Sequence, residues 1–255
     1  MKRPARRGAL AAFVLGAGTL VVLLAAVEAL IRAKVINPFV VPLPTAVAAA
    51  IPRILAEENV AHRFGQTMQE AVFASVMVAL GGIAIGVLLH HYRILRLATE
   101  TWVAALAAAP IVLMYPLFLV IFGRSATTIV MIGFVAGLPP VILKTLEGLE
   151  GTRAVLIEVG RSFRLTDAQL FRKILLPAAL PSVFVGLRLG LIFALINIVG
   201  VEFLINFGGL GQLINDLAER YDLPGTYAAI LFVVLVSVLF FMLSERLERW
   251  LRPGS

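Results

Sequence analysis

The sequence predicts an all-α membrane protein with six transmembrane helices, and two observations support this fold class. Only 15% of its 255 residues are charged and 60% are hydrophobic, whereas a soluble domain has about 25% charged residues to cover its surface. Long uncharged stretches recur along the chain, and their apolar residues are continuous rather than alternating, which excludes barrel strands. This composition argues against a soluble enzyme and against a disordered chain.

Six stretches are long enough to cross a hydrocarbon core, which requires about 20 apolar residues per helix. They are residues 9–27, 71–89, 101–123, 125–143, 178–207 and 223–244. The first could instead be a secretory signal, but it is longer than the usual apolar region of about 7–15 residues. The fifth contains Arg188 and Glu202 near its two ends, where we expect them to lie near the membrane surface or against protein.

The connections between these stretches also carry predictions. The first connection, about 32–69, contains a proline-rich entry and an amphipathic stretch at 45–55, which we expect to form a helix at the outer membrane surface. Pro110 and Pro116 fall inside the third span, and the pair Pro139–Pro140 falls inside the fourth. Each proline removes a backbone donor and bends a helix. The bends indicate either a kinked helix that lines a path or packing geometry alone.

The distribution of basic residues predicts the orientation. With the N-terminus inside and six spans, 15 of the 22 Lys and Arg residues lie on the cytoplasmic side and six on the outer side. This bias follows the positive-inside rule and places both termini in the cytoplasm. We therefore expect a basic cytoplasmic N-terminus at 1–8 and a transmembrane domain at 9–250.

The cytoplasmic segment 144–177 differs from the rest of the chain, because ten of its 34 residues are charged. Apolar residues recur within it at a helical period and predict a short amphipathic helix; they are Val155, Leu156, Val159 and Phe163. Thr166 and Gln169 form a capping-box pattern that predicts the start of a second helix, which we expect to end at Leu176–Pro177. This helix pair is either a docking element for another protein or an interfacial pair that packs on its own bundle.

Several kinds of chemistry are missing from the sequence. The chain has no cysteine and only three histidines, and none of the histidines lies within an apolar stretch, so we expect neither catalytic residues nor a metal site. No Gly-Lys dipeptide is present, so the chain lacks the phosphate-binding loop that ATP hydrolysis of that type requires. The net charge is +7. In a membrane protein, membrane topology and contact with membrane lipid explain such an excess of basic residues, so we expect no nucleic-acid partner.

The cytoplasmic segment resembles a family signature. It contains Glu158-Val159-Gly160, then Arg164 after three residues, then Ile174-Leu175-Leu176-Pro177 after nine residues. This pattern is similar to the cytoplasmic loop of bacterial ABC importer permeases, which reads Glu-Ala-Ala, three residues, Gly, nine residues, Ile-x-Leu-Pro. Further similarities to the nitrate, sulfonate, taurine and bicarbonate branch lie at Val41–Pro44, Pro116–Phe118, Phe122–Gly123, Glu202 and Gly209–Gly211. Together they extend over about residues 35–250.

The resemblance implies a type I ABC importer permease fold and a set of partners. Two permease subunits would form the path, with a homodimer favoured over a heterodimer. A cytoplasmic ABC ATPase dimer would hold ATP and Mg²⁺, so this chain itself would need no cofactor. A periplasmic or lipid-anchored binding protein would deliver the solute to the bacterial plasma (inner) membrane. The implied ATPase-coupling residues are Glu158, Gly160, Arg161, Arg164, Thr166, Asp167, Phe171, Leu176 and Pro177.

Two of the departures from the signature involve glycine. Gly160 stands where the family has its second Ala, and Arg164 stands where the family has Gly. That Gly would lie between the two loop helices, where a left-handed residue commonly ends a helix. Arg164 in that conformation would cost about 1–2 kcal/mol. The turn is therefore built differently, or Arg164 contacts the ATPase, or the chain is the weaker-coupled half of a heterodimer.

The resemblance implies that the chain moves a small solute by alternating access, such as a sulfonate-, nitrate- or taurine-like anion or a related small organic compound. Candidate residues for the translocation path are Met114, Tyr115, Asn197 and Glu202, although Glu202 could instead hold the adjacent loop. Two alternative functions are an ion-coupled secondary transporter and the permease half of a heterodimeric importer for a vitamin-precursor-like ring compound. No repeat between the two halves supports the first alternative.

Overall fold

The computed structural model describes residues 6–251, and this part of the chain is entirely helical with turns between the helices. The α-helices are α1 (Arg6–Arg32), α2 (Pro44–Glu57), α3 (Val60–His91), α4 (Arg93–Ala108), α5 (Tyr115–Phe122), α6 (Ala126–Glu150), α7 (Ala154–Ser162), α8 (Asp167–Leu170), α9 (Leu176–Ile205), α10 (Gly209–Glu219) and α11 (Leu223–Leu251). A 3₁₀ turn (Ile111–Met114) precedes α5, and a π-helical turn (Phe171–Leu175) joins α8 to α9. Residues 1–5 of the predicted basic N-terminus lie outside the described residues.

Five helices are long and apolar enough to cross a membrane, and α4 with the segment Ile111–Phe122 forms a sixth, bent candidate. Within residues 6–251 this confirms the prediction of an all-helical membrane protein, with five to six candidate spans where six were predicted. The boundaries differ from the prediction at α3, which begins at Val60 instead of 71. Its 32 residues extend about 48 Å, well beyond a hydrocarbon core of about 30 Å, so its polar first turns project out of the core.

The third predicted span is two helices, with a bend of 94° between them. The break lies at Pro110: Ala109 before it has an extended backbone, φ −76° and ψ 138°, because the helical region is disfavoured for a residue that precedes proline. Pro116 does not add a kink, since it lies in the first turn of α5, where a proline is tolerated. Pro139 and Pro140 lie inside α6, which continues through both.

The bent pair nevertheless connects the two ends of α6. At the start of α4, Arg96 forms an ion pair with Glu150, the last residue of α6. Beyond α5, Arg124 precedes α6 and donates a hydrogen bond to the carbonyl of Asn206, which follows α9. Since α4 begins near one end of α6 and α5 ends near the other, the pair as a whole crosses the same distance as a single span.

The chain divides into two compact units, one of residues up to 60 with 214–232 and the other of residues 61–213 with those from 233 on. In the second unit the core lies mainly between α6 and α9, whose side chains Ile129, Ile132, Ile198 and Val201 are fully buried. Ile111, at the helix break, is buried in the same cluster. The break is therefore part of the core.

In the first unit, Glu28 joins the end of α1 to the start of α2. Its carboxylate accepts hydrogen bonds from the hydroxyl of Thr45 at 2.9 Å and from the amide of Thr45 at 3.2 Å. Arg32 also donates to the same carboxylate, at 3.1 Å from its Nε. These contacts explain why a carboxylate closes the first apolar stretch. The helix expected at 45–55 is present as α2.

Ion pairs also join α2 to the turn before α11 within this unit. Arg53 donates to Asp222, and Arg220 forms a two-pronged pair with Glu58 at 2.8 and 3.1 Å. Burial disfavours the charged form of Asp222, but hydrogen bonds from Arg53 and from the amide of Gly225 outweigh it and lower its pKa. The same contact with Asp222 raises the pKa of Arg53.

Candidate functional site

The segment between α6 and α9 presents an apolar face to the outside. On and just after α7, the side chains of Val155, Leu156, Val159 and Phe163 are exposed, Phe163 to 77%. The opposite face of α7 packs inward through Gly160, where a Cβ atom would lie only 2.6 Å from the side chains of Leu170 and Ile174. The amphipathic helix predicted here is therefore present, and its apolar residues contact nothing within residues 6–251 that would hide them from solvent.

Arg164 adopts the left-handed conformation that the family signature requires at its position, with φ 54°. The amide of Arg164 donates to the carbonyl of Arg161 at 2.8 Å, and the amide of Leu165 donates to that of Gly160 at 3.1 Å, which is the hydrogen-bond pattern of a Schellman helix end. The turn is thus not built differently to accommodate Arg164. Because Arg164 is not glycine, its left-handed backbone is strained by about 1–2 kcal/mol, and its side chain is exposed.

The capping box predicted at Thr166 is confirmed. The amide of Gln169 donates to the hydroxyl of Thr166 at 3.4 Å, and the amide of Thr166 donates to the side chain of Gln169 at 3.0 Å. Both donors at the start of α8 are thereby satisfied. Asp167, in the first turn of α8, adds a negative charge at the positive end of the helix dipole.

Basic side chains surround the exposed apolar face. Those of this segment are exposed, and none has an ion-pair partner among the described residues; they are Arg153, Arg161, Arg164, Arg172 and Lys173. Only Glu158 and Asp167 oppose them between α7 and the π-helical turn. The face therefore combines apolar contact area with an excess of positive charge.

The predicted second helix does not end at Leu176–Pro177, which corrects the prediction. It continues through the π-helical turn into α9, so that one helical segment runs from Asp167 to Ile205. A π-helical turn absorbs the disturbance that Pro177 would cause in a regular α-helix, where its ring meets the carbonyl four residues earlier. Phe171 packs inward on the cluster around Leu149, and Leu176 and Pro177 form the start of α9.

Helix α9, which continues this segment, is in close contact with α6. The hydroxyl of Ser182 on α9 donates to the carbonyl of Lys144 on α6 at 2.8 Å. Farther along, a Cβ on Gly137 would lie 2.6 Å from the carbonyl of Gly190, and the reverse distance is the same. The two helices thus touch backbone to backbone.

Two of the predicted path residues lie at the helix break. Tyr115 packs half-buried on the main cluster, and Met114 is 40% exposed. The 3₁₀ turn that carries Met114 approaches α9, since a Cβ on Gly200 would lie 3.2 Å from Val112. Asn197 is half-buried and donates to the carbonyl of Phe193 at 2.9 Å. The break thus brings an exposed, polarizable side chain close to α9.

Glu202, the fourth predicted path residue, is fully buried and holds the turn after α9. Its carboxylate accepts hydrogen bonds from the hydroxyl of Thr67 at 2.7 Å and from the amide of Gly211 at 2.8 Å. The turn needs glycine at Gly209, where φ is +75° and a Cβ would lie 2.1 Å from the Glu202 carboxyl. These contacts support the interpretation in which Glu202 holds the adjacent loop.

Three residues of α3 that lie beside Glu202 or its turn were not among the predicted site residues. Thr67 accepts the amide of Leu210 at 2.9 Å as well as donating to Glu202, and Gln66 accepts the amide of Gly209 at 3.1 Å. Glu70 lies within hydrogen-bonding reach of Glu202. The spacing of Gln66, Thr67 and Glu70 places them on one helix face, which was the available signal.

Arg188 has partners that the sequence did not identify. Its guanidinium lies 3.5 Å from the carboxylate of Glu248 and 5.8 Å from the ring centre of Phe241. The expectation that this charge lies against protein is therefore confirmed.

The chain is similar to known membrane transport proteins. A family model described as "Binding-protein-dependent transport system inner membrane component" matches residues 78–253. The chain is 30% identical over 205 residues to the riboflavin transport system permease protein of Chloroflexus aurantiacus, covering 75% of this chain and 76% of that protein. It is 24% identical over 244 residues to the taurine transport system permease protein of Escherichia coli, covering 94% and 89%.

A nitrate import permease protein of Leptolyngbya laminosa is 26% identical over 183 residues, covering 72% of this chain and 66% of that protein. Among solved structures, the fold matches a chain of the MetNI methionine ABC transporter in an inward facing conformation, with a TM-score of 0.65 and 21% identity. The match covers 74% of this chain and 94% of that chain. It confirms the fold that the sequence predicted.

Proposed function

Because the chain belongs to the family of binding-protein-dependent transport system inner membrane components and is a permease subunit of an ABC importer, we propose that it moves a small solute across the bacterial plasma membrane by alternating access, powered by a separate ATPase. The observation that carries the proposal is the exposed apolar face of α7 and Phe163. Helix α7 packs through Gly160 on Leu170 and Ile174, which belong to the helical segment that runs without a break from Asp167 into the span α9. A docking face joined rigidly to a membrane helix can convert the movement of a partner into movement of the path.

The partner on this face is a cytoplasmic ABC ATPase dimer, which binds ATP and Mg²⁺ in its own subunits. The positively charged rim contributed by Arg161, Arg164 and their neighbours favours an ATPase surface with acidic residues. Residues 154–177 form the coupling segment. In it, Glu158, Arg161, Arg164 and Asp167 are exposed for contact, whereas Gly160, Thr166 and Phe171 maintain the shape of the segment.

The orientation of the chain follows the positive-inside rule, with the coupling segment and both termini in the cytoplasm. The same orientation places α2 and the turn before α11 outside, where a periplasmic or lipid-anchored binding protein delivers the solute. Because the chain has no cysteine, single cysteines report this directly. An impermeant maleimide added to intact cells should label Val35→Cys and leave Phe163→Cys unlabelled; the reverse pattern would contradict the orientation.

The path itself requires a second permease subunit, and a homodimer is the simpler assembly, because one coupling segment per chain matches an ATPase dimer. Met114, Tyr115 and Asn197 are the residues that we assign to the path, since the helix break brings the first two beside α9. Glu202 contributes by fixing the turn at the end of that helix.

The solute is small, and taurine- or nitrate-like anions are the first class to test, because permeases named for taurine and nitrate are relatives. A second candidate is a ring compound of the vitamin-precursor type, favoured by the similarity to a riboflavin transport permease at 30% identity. Membership of a family of ABC importer permeases argues against the ion-coupled secondary transporter, because an ABC importer is powered by an ATPase.

Purification of the tagged chain from its native cell, followed by identification of the proteins that accompany it, tests the proposal. We expect an ABC ATPase and either no second permease, for a homodimer, or one related permease, for a heterodimer. Val159→Glu should lose the ATPase, because it places a charge in the centre of the apolar face, whereas the control Val35→Glu, at another exposed valine, should retain it. Absence of any ATPase under conditions that preserve known ABC complexes would contradict the proposal.

A further inference from the structure

Two acidic side chains share a buried place in the second unit. Glu202 is fully buried and Glu70 is only 8% exposed, and their carboxyl groups lie within hydrogen-bonding reach of each other. Neither forms an ion pair with a basic side chain within residues 6–251. Two carboxylates in contact in a water-poor site are opposed both by desolvation and by mutual repulsion. The pair is therefore stable only with a shared proton or with a positive charge that the described chain does not supply.

The hydrogen bonds around the pair leave room for that charge on one side only. Both oxygens of Glu202 accept a donor from the chain, Oε1 from Thr67 and Oε2 from Gly211. Glu70 differs, because its Oε2 is buried and has no hydrogen-bond partner in the described part of the chain. An unpartnered carboxylate oxygen in such a place is costly unless a donor occupies it.

A cavity of about 180 Å³ adjoins Glu70. It is lined by Gln66, Gln69, Glu70, Phe73, Ala126, Val130 and Phe207. The amide oxygens of the glutamines are acceptors for N–H groups, and the side chains of Phe73 and Phe207 provide apolar contact area for a carbon chain. The exposed Gln69 at its rim gives access from outside. A bound proton alone would need no cavity of this size.

From this arrangement we propose that Glu70, Glu202 and the adjoining cavity form a binding site for a protonated primary amine. The ammonium group donates to the free oxygen of Glu70 and balances the charge of the pair, while the carbon chain of the ligand occupies the cavity between the aromatic rings. That the amine belongs to the transported solute rests on the proposed function. It would make zwitterionic amino acids or aminosulfonates better substrates than simple anions such as nitrate.

The site is tested on the purified full-length chain at pH 7.5, in a buffer whose only other cation is tetramethylammonium, which has no N–H donor. Methylammonium is added at constant ionic strength and the unfolding temperature is recorded. We expect a rise that saturates with concentration, since a ligand that binds only the folded state stabilises it. Glu70→Gln should weaken the apparent affinity at least tenfold, whereas Glu57→Gln on α2 should leave it unchanged.

Gln69→Leu at the rim provides a second variant that leaves the carboxyl pair intact and should also weaken the affinity. Sodium as effective as methylammonium would overturn the assignment to an amine. A wild-type chain that does not respond, or Glu70→Gln with an unchanged response, would overturn the site itself and leave a proton as the shared charge. None of these results depends on an ATPase, so they are independent of the test of the proposed function.

Competition identifies the source of the amine. Taurine should displace methylammonium, whereas ethanesulfonate, which lacks the amine, should not. Equal displacement by both compounds would contradict recognition through the ammonium group.

Discussion

Under the proposed function, close backbone contact between α6 and α9 connects the coupling segment to the path. Gly137→Ala perturbs this contact with one methyl group. The added Cβ would lie 2.6 Å from the carbonyl of Gly190 and 2.8 Å from Val78. Ordinary contact begins at 3.4 Å, so the helices would have to separate by about 0.8 Å. Because the nearest atom is backbone, no rotamer change can relieve the clash.

The magnitude follows from two opposing effects. Overpacking a close-packed interior costs about 1–3 kcal/mol, whereas Ala gains up to about 1 kcal/mol over Gly in a helix. We therefore expect Gly137→Ala to lower the free energy of unfolding by about 1–2 kcal/mol. Denaturant unfolding in one detergent, monitored by the intrinsic fluorescence of the chain, measures this change.

Gly65→Ala is the matched control, because Gly65 is also helical but no atom lies within 4 Å of its Cβ position. It should be neutral or stabilising by up to about 1 kcal/mol, since only the gain in helix propensity remains. If both variants unfold at the same denaturant concentration, the close contact of α6 with α9 is not a source of stability and the reasoning fails.

Three further predictions concern other contacts. Arg164→Gly should stabilise the chain by up to about 1 kcal/mol, because glycine relieves the left-handed strain, and should still copurify with the ATPase; loss of the complex would show that the arginine side chain itself is required. Thr166→Ala should lower thermal stability by about 1 kcal/mol through loss of the helix cap, whereas Thr166→Ser should retain it. Asp222→Asn should remove the stability that depends on the lowered pKa of Asp222: this contribution is complete above the ordinary pKa of 3.8 and is lost as the pH falls through the lower pKa of the folded state. Unfolding temperatures should therefore differ by a constant amount from pH 5 to 7 and converge below about pH 4, and a difference that grows on acidification would contradict the assignment.

Local signals in the sequence predicted local structure well. The Thr166–Gln169 capping box and the apolar period of α7 depend on residues within four positions of each other, and the structure confirms both. The signature position of Arg164 predicted a left-handed residue, which the structure also has. These features do not need knowledge of how distant segments meet.

Other features depend on distant contacts, and the sequence could not specify them. Pro110 indicated a bend, but its size depends on how Ile111 is buried against α6 and α9. The predicted span at 71–89 starts eleven residues after α3 begins. Hydropathy does not identify the first turns of α3 as helical, because Thr67 and Glu70 are polar although they are buried against Glu202. The pairing of Arg188 with Glu248 joins residues on different helices and has no local pattern.

The continuous helix from Asp167 to Ile205 was missed for a different reason. A Leu-Pro step usually ends a helix, since proline removes a donor and its ring clashes with the preceding turn. Here the π-helical turn Phe171–Leu175 accommodates Pro177 and lets the helix continue. The correction matters for function, because α7 packs on a helical segment that continues without a break into a membrane span.

Site-specific cross-linking from Phe163 tests the central claim most directly, that the segment around α7 docks on the ATPase. Since the chain has no native cysteine, Phe163→Cys can carry a single photoactivatable maleimide in inverted membrane vesicles from the native cell. We expect Phe163→Cys to give one cross-linked product that contains an ABC ATPase. Tyr92→Cys, which is exposed at the turn between α3 and α4, should give no such product. A product from Phe163→Cys that contains only lipid or another copy of this chain would contradict it.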